Sequence, residues 1–216
     1  MITLITGASR GLGFAIGEAL AATSHVIAVA RTVGGLEDLD DAIKTKGGEA
    51  TLVPLDLTDA DGVSRMCLSI HERWGGLDLW VHTATQPVPL APLPHTEAAE
   101  FTKSMTLHAN VARDLIVKID PLLRAKSGRA VYMQDNHQGE KFFGTYAAAK
   151  AAEAALFAAW ASENEKLGPI VSAFHPAPMP TATRARFFPG EDKAALSTPR
   201  DEANRVLTEL GLAKAY

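Results

Sequence analysis

Tyr146 and Lys150, four residues apart, are the pair in this sequence best suited to moving a proton. They stand at the start of an alanine-rich run, 145–167, that reads as a helix, and a spacing of four places both on one helix face. A phenol with an ordinary pKa of about 10 is a poor acid–base catalyst at neutral pH. A nearby ammonium favours the phenolate and brings the hydroxyl toward the working range. The same lysine can hydrogen-bond the ribose of a cofactor. Alone, a tyrosine and lysine at this spacing are commonplace, so their meaning depends on what precedes them.

What precedes them is Thr6-Gly7-Ala8-Ser9-Arg10-Gly11-Leu12-Gly13, set between an apolar run, 1–5, and a helical run, 14–22. Strand, glycine-rich turn and helix together form the context of a dinucleotide-binding loop. Gly7 allows a sharp turn off the strand. Gly11 and Gly13 let backbone approach a pyrophosphate and let the helix pack against the strand. The free N–H groups at the helix start then face the anion. The competing reading is a tight turn with no ligand.

The rest of the chain alternates in the same way. Apolar strands are predicted at 2–5, 26–30, 51–55, 77–82, 129–134 and 169–174. Helices are predicted at 11–23, 36–46, from 58 or 59 to 74, 97–119, 145–167 and 198–210, with Pro121 kinking or ending the fourth. Thr58 or Asp59 is the expected cap of the third helix. This pattern specifies an α/β fold: one doubly wound Rossmann-type domain over 1–216, a parallel sheet of six or seven strands with helices on both faces. Ligands of such sheets sit beyond the carboxyl ends of the strands. Residues 6–13, Arg31, Asp56, 82–85, 134–137 and 175–181 are therefore expected to converge on one cleft.

The second strand ends at Arg31 with no carboxylate to hold a ribose 2′-hydroxyl. Arg31, with Arg10 from the glycine loop, suits a 2′-phosphate, which favours NADP over NAD. The alternative is two solvated surface arginines. Asp56 either accepts from an adenine amino group or caps a helix.

Composition narrows the classes further. The chain has 216 residues, 47% of them hydrophobic and 21% charged, which suits one globular domain with a sizeable core. A net charge of -4 gives no electrostatic reason to expect nucleic acid or an anionic membrane as partner. The one cysteine, Cys67, excludes an internal disulfide and reads as a buried, inert thiol. No apolar run approaches the ~20 residues of a membrane span, and the first strand leaves no room for a signal peptide, so a cytoplasmic location is expected. Seven histidines without an i,i+4 pair on a helix argue against a metal site. His82, His137 and His175 each follow a strand.

The sequence resembles the short-chain dehydrogenase/reductase family over nearly its whole length. The resemblance rests on the 6–13 loop, Asp56-Leu57, Asn110, Tyr146-Ala147-Ala148-Ala149-Lys150, and His175-Pro176-Ala177 with Thr181 beyond. It implies that Tyr146 exchanges a proton with a substrate oxygen while hydride moves between nicotinamide and the substrate carbon. It also implies that Lys150 tunes Tyr146 and binds ribose, and that Asn110 holds a water linking Lys150 to solvent. Thr6, Gly7, Ser9, Arg10, Gly11, Leu12, Gly13, Arg31, Asp56, Leu57 and Ala84 would line the cofactor site. At Pro176, Ala177 and Thr181 the backbone would meet the nicotinamide amide. The substrate would be a small carbonyl or alcohol, and helices 97–119 and 145–167 could form a homodimer or homotetramer.

Three departures stand against the family pattern. His82-Thr83-Ala84-Thr85 replaces Asn-Asn-Ala-Gly, and β-branched Thr85 disfavours positive φ, so the cofactor would sit differently or bind more weakly. The family's substrate-binding serine falls at Gln134 or Asp135, and an ionised aspartate cannot donate a hydrogen bond. Catalysis would be slowed, or the donor replaced by Gln134, Asn136, His137 or a protonated Asp135. The chain also stops early, with 212–216 too short for a seventh strand and tail. An NADP-binding sensor or partner subunit of weak activity is the alternative function. A dehydration using Asp135 or His137 is a third.

Overall fold

The computed structural model describes residues 1–212; the segment 213–216, most of the stretch expected to end the sheet early, lies outside the described residues. Six parallel strands form one sheet: β1 (Ile2–Thr6), β2 (His25–Ala30), β3 (Ala50–Pro54), β4 (Leu79–His82), β5 (Arg129–Met133) and β6 (Ile170–Phe174), in the order β3-β2-β1-β4-β5-β6. Strand order reverses between β1 and β4, which opens a crevice above their carboxyl ends. The register aligns Thr6 with His82, and His82 with Tyr132, along that edge.

The helices are α1 (Gly11–Leu20), α2 (Val33–Thr45), α3 (Ala60–Trp74), α4 (Ala98–Met105), α5 (Ala112–Arg124), α6 (Gly144–Glu163), α7 (Ala182–Phe187) and α8 (Pro199–Glu209). Side chains alternate across each strand, so β1 sends Ile5 into the core beneath α1, α2 and α8, and Leu4 into the opposite core with Trp80, Leu115 and Phe157. Asp59 caps α3 by accepting from the Gly62 N–H, and Gly75 ends it in a left-handed conformation at φ 73°. Cys67 is buried on α3, and burial pushes its thiol up to about 11, in keeping with an inert role.

The region read as one helix over 97–119 is built differently. Between α4 and α5 the chain passes through a π-helical segment, Thr106–Val111. A π turn inserts a residue into the hydrogen-bonded ring and re-aims the side chains around it. Here His108 and Val111 point inward. Pro121 does not end the helix, which runs on to Arg124; the rung it removes is to Val117, whose side chain is exposed. The proline-rich stretch after β6 holds the short helix α7, capped by the Thr181 hydroxyl, which accepts from the Arg184 N–H.

Candidate active site

A cleft of about 1150 Å³ runs along the carboxyl ends of the strands, from Arg31 and Asp56 past Tyr146 to His175 and Phe187. Gly7, Ser9, Arg10, Gly11, Leu12, Gly13, Leu57, Ala84, Asp135, Lys150, Pro176, Ala177 and Thr181 also line it. Of the ranges expected to converge, all but Thr6, Ala8 and Pro180 line it, and of the candidate catalytic and cofactor-binding residues only two do not.

Those two are Thr6 and Asn110. Thr6 is fully buried beneath the cleft floor, where its hydroxyl lies 2.7 Å from His82 Nδ1 and accepts from the Trp80 indole N–H at 3.2 Å. Asn110 is exposed and borders a separate small hollow beside Leu57, Thr58 and Asp114. The π-helical segment turns His108 inward in its stead. His108 is 0% exposed, packs edge-on to the Tyr146 ring with centroids 5.7 Å apart, and burial holds its imidazole below the usual range. Its Nε2 is a buried atom with no hydrogen-bond partner among the described residues.

At the glycine loop, the first turn of α1 starts from Arg10 in an extended conformation with no side-chain cap. The N–H groups of that turn therefore remain available to an anion in the cleft. Gly7 has φ +95°, and an added Cβ would sit 2.7 Å from the Ala84 backbone nitrogen; at Gly13 it would sit 2.5 Å from the Gly7 carbonyl oxygen. Glycine is required at both because the loop packs on the end of β4 and on itself. This donor set, an uncapped helix start with two arginines beside it, fits a dinucleotide phosphate chain.

Arg31 lies 3.8 Å from Asp56, and Arg10 donates to the Thr32 hydroxyl at 3.4 Å. Both arginines are exposed. Asp56 accepts from the backbone N–H and the hydroxyl of Thr58, and the backbone bond is the main reason that its carboxyl sits below the usual range. Asp56 thus shapes the turn before α3, while Asp59 is the helix cap. The Ala177 N–H is already committed, donating at 2.9 Å to the Glu202 carboxylate on α8.

Around Tyr146 the pattern differs from the one expected. Its hydroxyl donates to Asp135 Oδ2 at 2.8 Å, and Thr85 Oγ1 lies 3.2 Å away, left free to donate in return. Thr85 is not at positive φ, so its β-branch costs nothing there. Asp135 Oδ1 is 3.1 Å from His137 Nε2, and His137 Nδ1 is 2.8 Å from Glu140. His137 stacks on Phe143 at 4.1 Å, and Phe187 stands 4.9 Å from the Tyr146 ring, so one wall of the site is aromatic. Burial, then the Asp135 carboxylate, drives the Tyr146 hydroxyl far above the ordinary phenol range. Sequence spacing predicted the opposite direction.

Lys150 does not offset these effects because it is engaged by Glu153, which sequence reading passed over and which adds a smaller push of its own. Lys150 donates to Glu153 Oε2 and to the Met133 carbonyl at 3.1 Å; among the described residues it makes no hydrogen bond to Tyr146. Glu153 Oε1 meets His82 Nε2 at 3.2 Å and His108 Nδ1 at 3.5 Å. Burial opposes ionisation of Glu153, but the Lys150 ammonium and the two imidazoles outweigh it and hold the carboxyl well below its usual range. The signal was present in the spacing: 146, 150 and 153 repeat at i, i+4 and i+7, one helix face.

A family model described as short chain dehydrogenase matches residues 1–192. An uncharacterized oxidoreductase of Mycobacterium tuberculosis is 30% identical over 96% of this chain, which spans 63% of that protein's length. A Pseudomonas syringae protein described as a short chain dehydrogenase superimposes with a TM-score of 0.87 at 26% identity, over 93% of this chain and 84% of that one. A Shigella flexneri protein of the same description, solved with NADP, gives 0.84 at 26% identity, over 93% of this chain and 86% of that one. The chain belongs to the short-chain dehydrogenase/reductase family.

Proposed function

We propose that this protein is an NADP-dependent oxidoreductase that transfers a hydride between nicotinamide and a small carbonyl or alcohol. The observation that carries this reading is the Tyr146 hydroxyl facing the same cleft as the glycine loop and the uncapped start of α1. Arg10 and Arg31 support recognition of a 2′-phosphate, which would take over Arg31 from the exposed Asp56 carboxylate 3.8 Å away. The Shigella flexneri relative was solved with NADP, which supports the same preference.

The bound dinucleotide would supply or accept the hydride. In the direction of reduction, Tyr146 gives its phenolic proton to the substrate oxygen as the carbonyl carbon takes up the electron pair. Asp135 and Thr85 hold the phenol in place. The Asp135 carboxylate competes with the substrate for the Tyr146 hydrogen bond, so reduction requires that this bond be given up. Phe187, which lines the cleft 4.9 Å from the Tyr146 ring, would shield the reacting atoms from water.

Titration of the protein with NADPH and NADH, followed by nicotinamide fluorescence, tests the reading. NADPH should bind at least about tenfold more tightly, equivalent to about 1.4 kcal/mol. Arg31→Asp should remove that preference and leave NADH affinity within about twofold, since its contribution is a charge-assisted contact. Equal loss for both cofactors would overturn the NADP assignment. Failure to bind either would favour a partner subunit without redox activity.

A further inference from the structure

We propose that Glu153 is a positioning residue that neutralises Lys150 and directs its ammonium toward β5, so that Tyr146 works as a held proton donor rather than as a phenolate. The inference rests on the reading of Tyr146 given above and adds the direction in which the site is poised. Glu153 is 0% exposed and Lys150 6% exposed, so the two charges meet with little water to screen them.

The carboxylate is saturated by donors from three elements. Lys150, one turn earlier on α6, takes Oε2. His82 from the end of β4 and His108 from the π-helical segment share Oε1. The polarity of this network follows from its ends. Trp80 donates to Thr6, whose hydroxyl lies 2.7 Å from His82 Nδ1 and 3.4 Å from the Val81 carbonyl; when it donates to the nearer Nδ1, the Nε2 proton of His82 faces Glu153. His108, buried and disfavoured as a cation, offers Nδ1–H to the same oxygen. Glu153 thus meets the Lys150 ammonium at one oxygen and the two imidazoles at the other.

Tyr146 is faced by Asp135 and His137 from the loop after β5, by Thr85 after β4, by His108, and by the Lys150–Glu153 pair along its own helix. Among these, Lys150 is the one ammonium, and Glu153 is paired with it. Burial and the Asp135 carboxylate displace the Tyr146 hydroxyl upward, and Glu153 adds a smaller push in the same direction. The consequence is directional: the phenolic proton is retained at neutral pH, which suits carbonyl reduction, and alcohol oxidation is confined to alkaline solution.

The test reads Tyr146 directly and needs neither cofactor nor substrate. Near-ultraviolet absorbance of tyrosinate is followed from about pH 8 to about pH 11, with the Tyr146→Phe variant of each background as the blank. Wild-type protein should show no Tyr146 component in this range. Asp135→Asn removes the nearer carboxylate, and Glu153→Gln added to it should bring in a component that Asp135→Asn alone lacks, because Lys150 is then uncompensated on the same helix face. Asp135→Asn/Glu153→Gln with no such component, or Asp135→Asn alone already showing it in full, would overturn the proposal. If Glu153→Gln does not fold, the pair Lys150→Met and Lys150→Met/Glu153→Leu decides. The double variant should melt higher than the single, because it leaves no unpaired buried carboxylate. A double variant that melts lower would show that the charges are not balancing each other, and would overturn the proposal. NADPH binding measured on the same samples reports separately on the oxidoreductase reading.

Discussion

At Asp135 a carboxylate takes the phenolic proton of Tyr146, where a hydroxyl would have left that proton for the substrate. Two outcomes follow at this scale. Asp135→Ser should raise the rate of carbonyl reduction by about tenfold or more, up to the 10²–10³ that one well-placed donor contributes. A fall in rate would assign Asp135 a role of its own, shared with His137 3.1 Å away. Tyr146→Phe should abolish carbonyl reduction and leave NADPH affinity within about twofold, since one polar contact to the substrate is lost and none to the phosphate cradle. Turnover retained by Tyr146→Phe in steady-state assays would remove Tyr146 from the mechanism.

At the scale of elements, the glycine loop and α8 set the two ends of the cleft. A methyl group at residue 13 would meet the Gly7 carbonyl oxygen at 2.5 Å, backbone that cannot retreat without moving β1. Gly13→Ala should cost about 1–3 kcal/mol by chemical denaturation, as overpacking does, and weaken NADPH binding in the same samples. At the other end, Glu202 on α8 accepts from the Ala177 N–H, the Ser197 hydroxyl and Arg205. It thus ties the loop after β6 to a helix that packs on α1. Glu202→Ala leaves a backbone donor unpaired and should cost about 1.5–3 kcal/mol in the same measurement.

For the whole molecule, the buried carboxylates fix the response to acid. Burial opposes ionisation of Glu202, but the Ser197, Ala177 and Arg205 donors together lower its carboxyl from 4.5, as Lys150 and the imidazoles do more strongly for Glu153. A carboxyl depressed by folding binds fewer protons native than unfolded, so its stabilisation is complete above the unfolded pKa and is lost as pH falls through the folded value. Urea midpoints should therefore be flat near neutrality and decline below about pH 5. Glu202→Gln should flatten part of that decline, and an unchanged acid limb would remove Glu202 from the account. Among the described residues no helix is long and apolar enough to cross a membrane. Ala148, Ala155 and Ala159 form an exposed small-residue face on α6, and the family resemblance implies an association of copies through helices 97–119 and 145–167. Light scattering should report at least a dimer, and a monomeric mass at micromolar concentration would exclude it.

Much of this protein is written in local pattern. Alternating apolar runs and helical periods specify the strands and crossovers, and each strand end delivers its following residues to one crevice, so Gly7, Gly13, Arg31, Asp135, Tyr146 and Lys150 were legible as neighbours before any coordinates. Spacing of four placed Tyr146 and Lys150 on one face, yet it could not say where the ammonium points. That was decided in three dimensions, because His82 and His108 lie 71 and 45 residues before the carboxylate they meet. Asn110 was misplaced for a related reason: the π-helical segment re-aims side chains, and no periodicity in the sequence announces that extra residue in the turn. Sequence thus determined the fold and the outline of the cleft. The charge balance around Tyr146, a sum over groups from β4, the π-helical segment and α6, exists only once those elements are packed together.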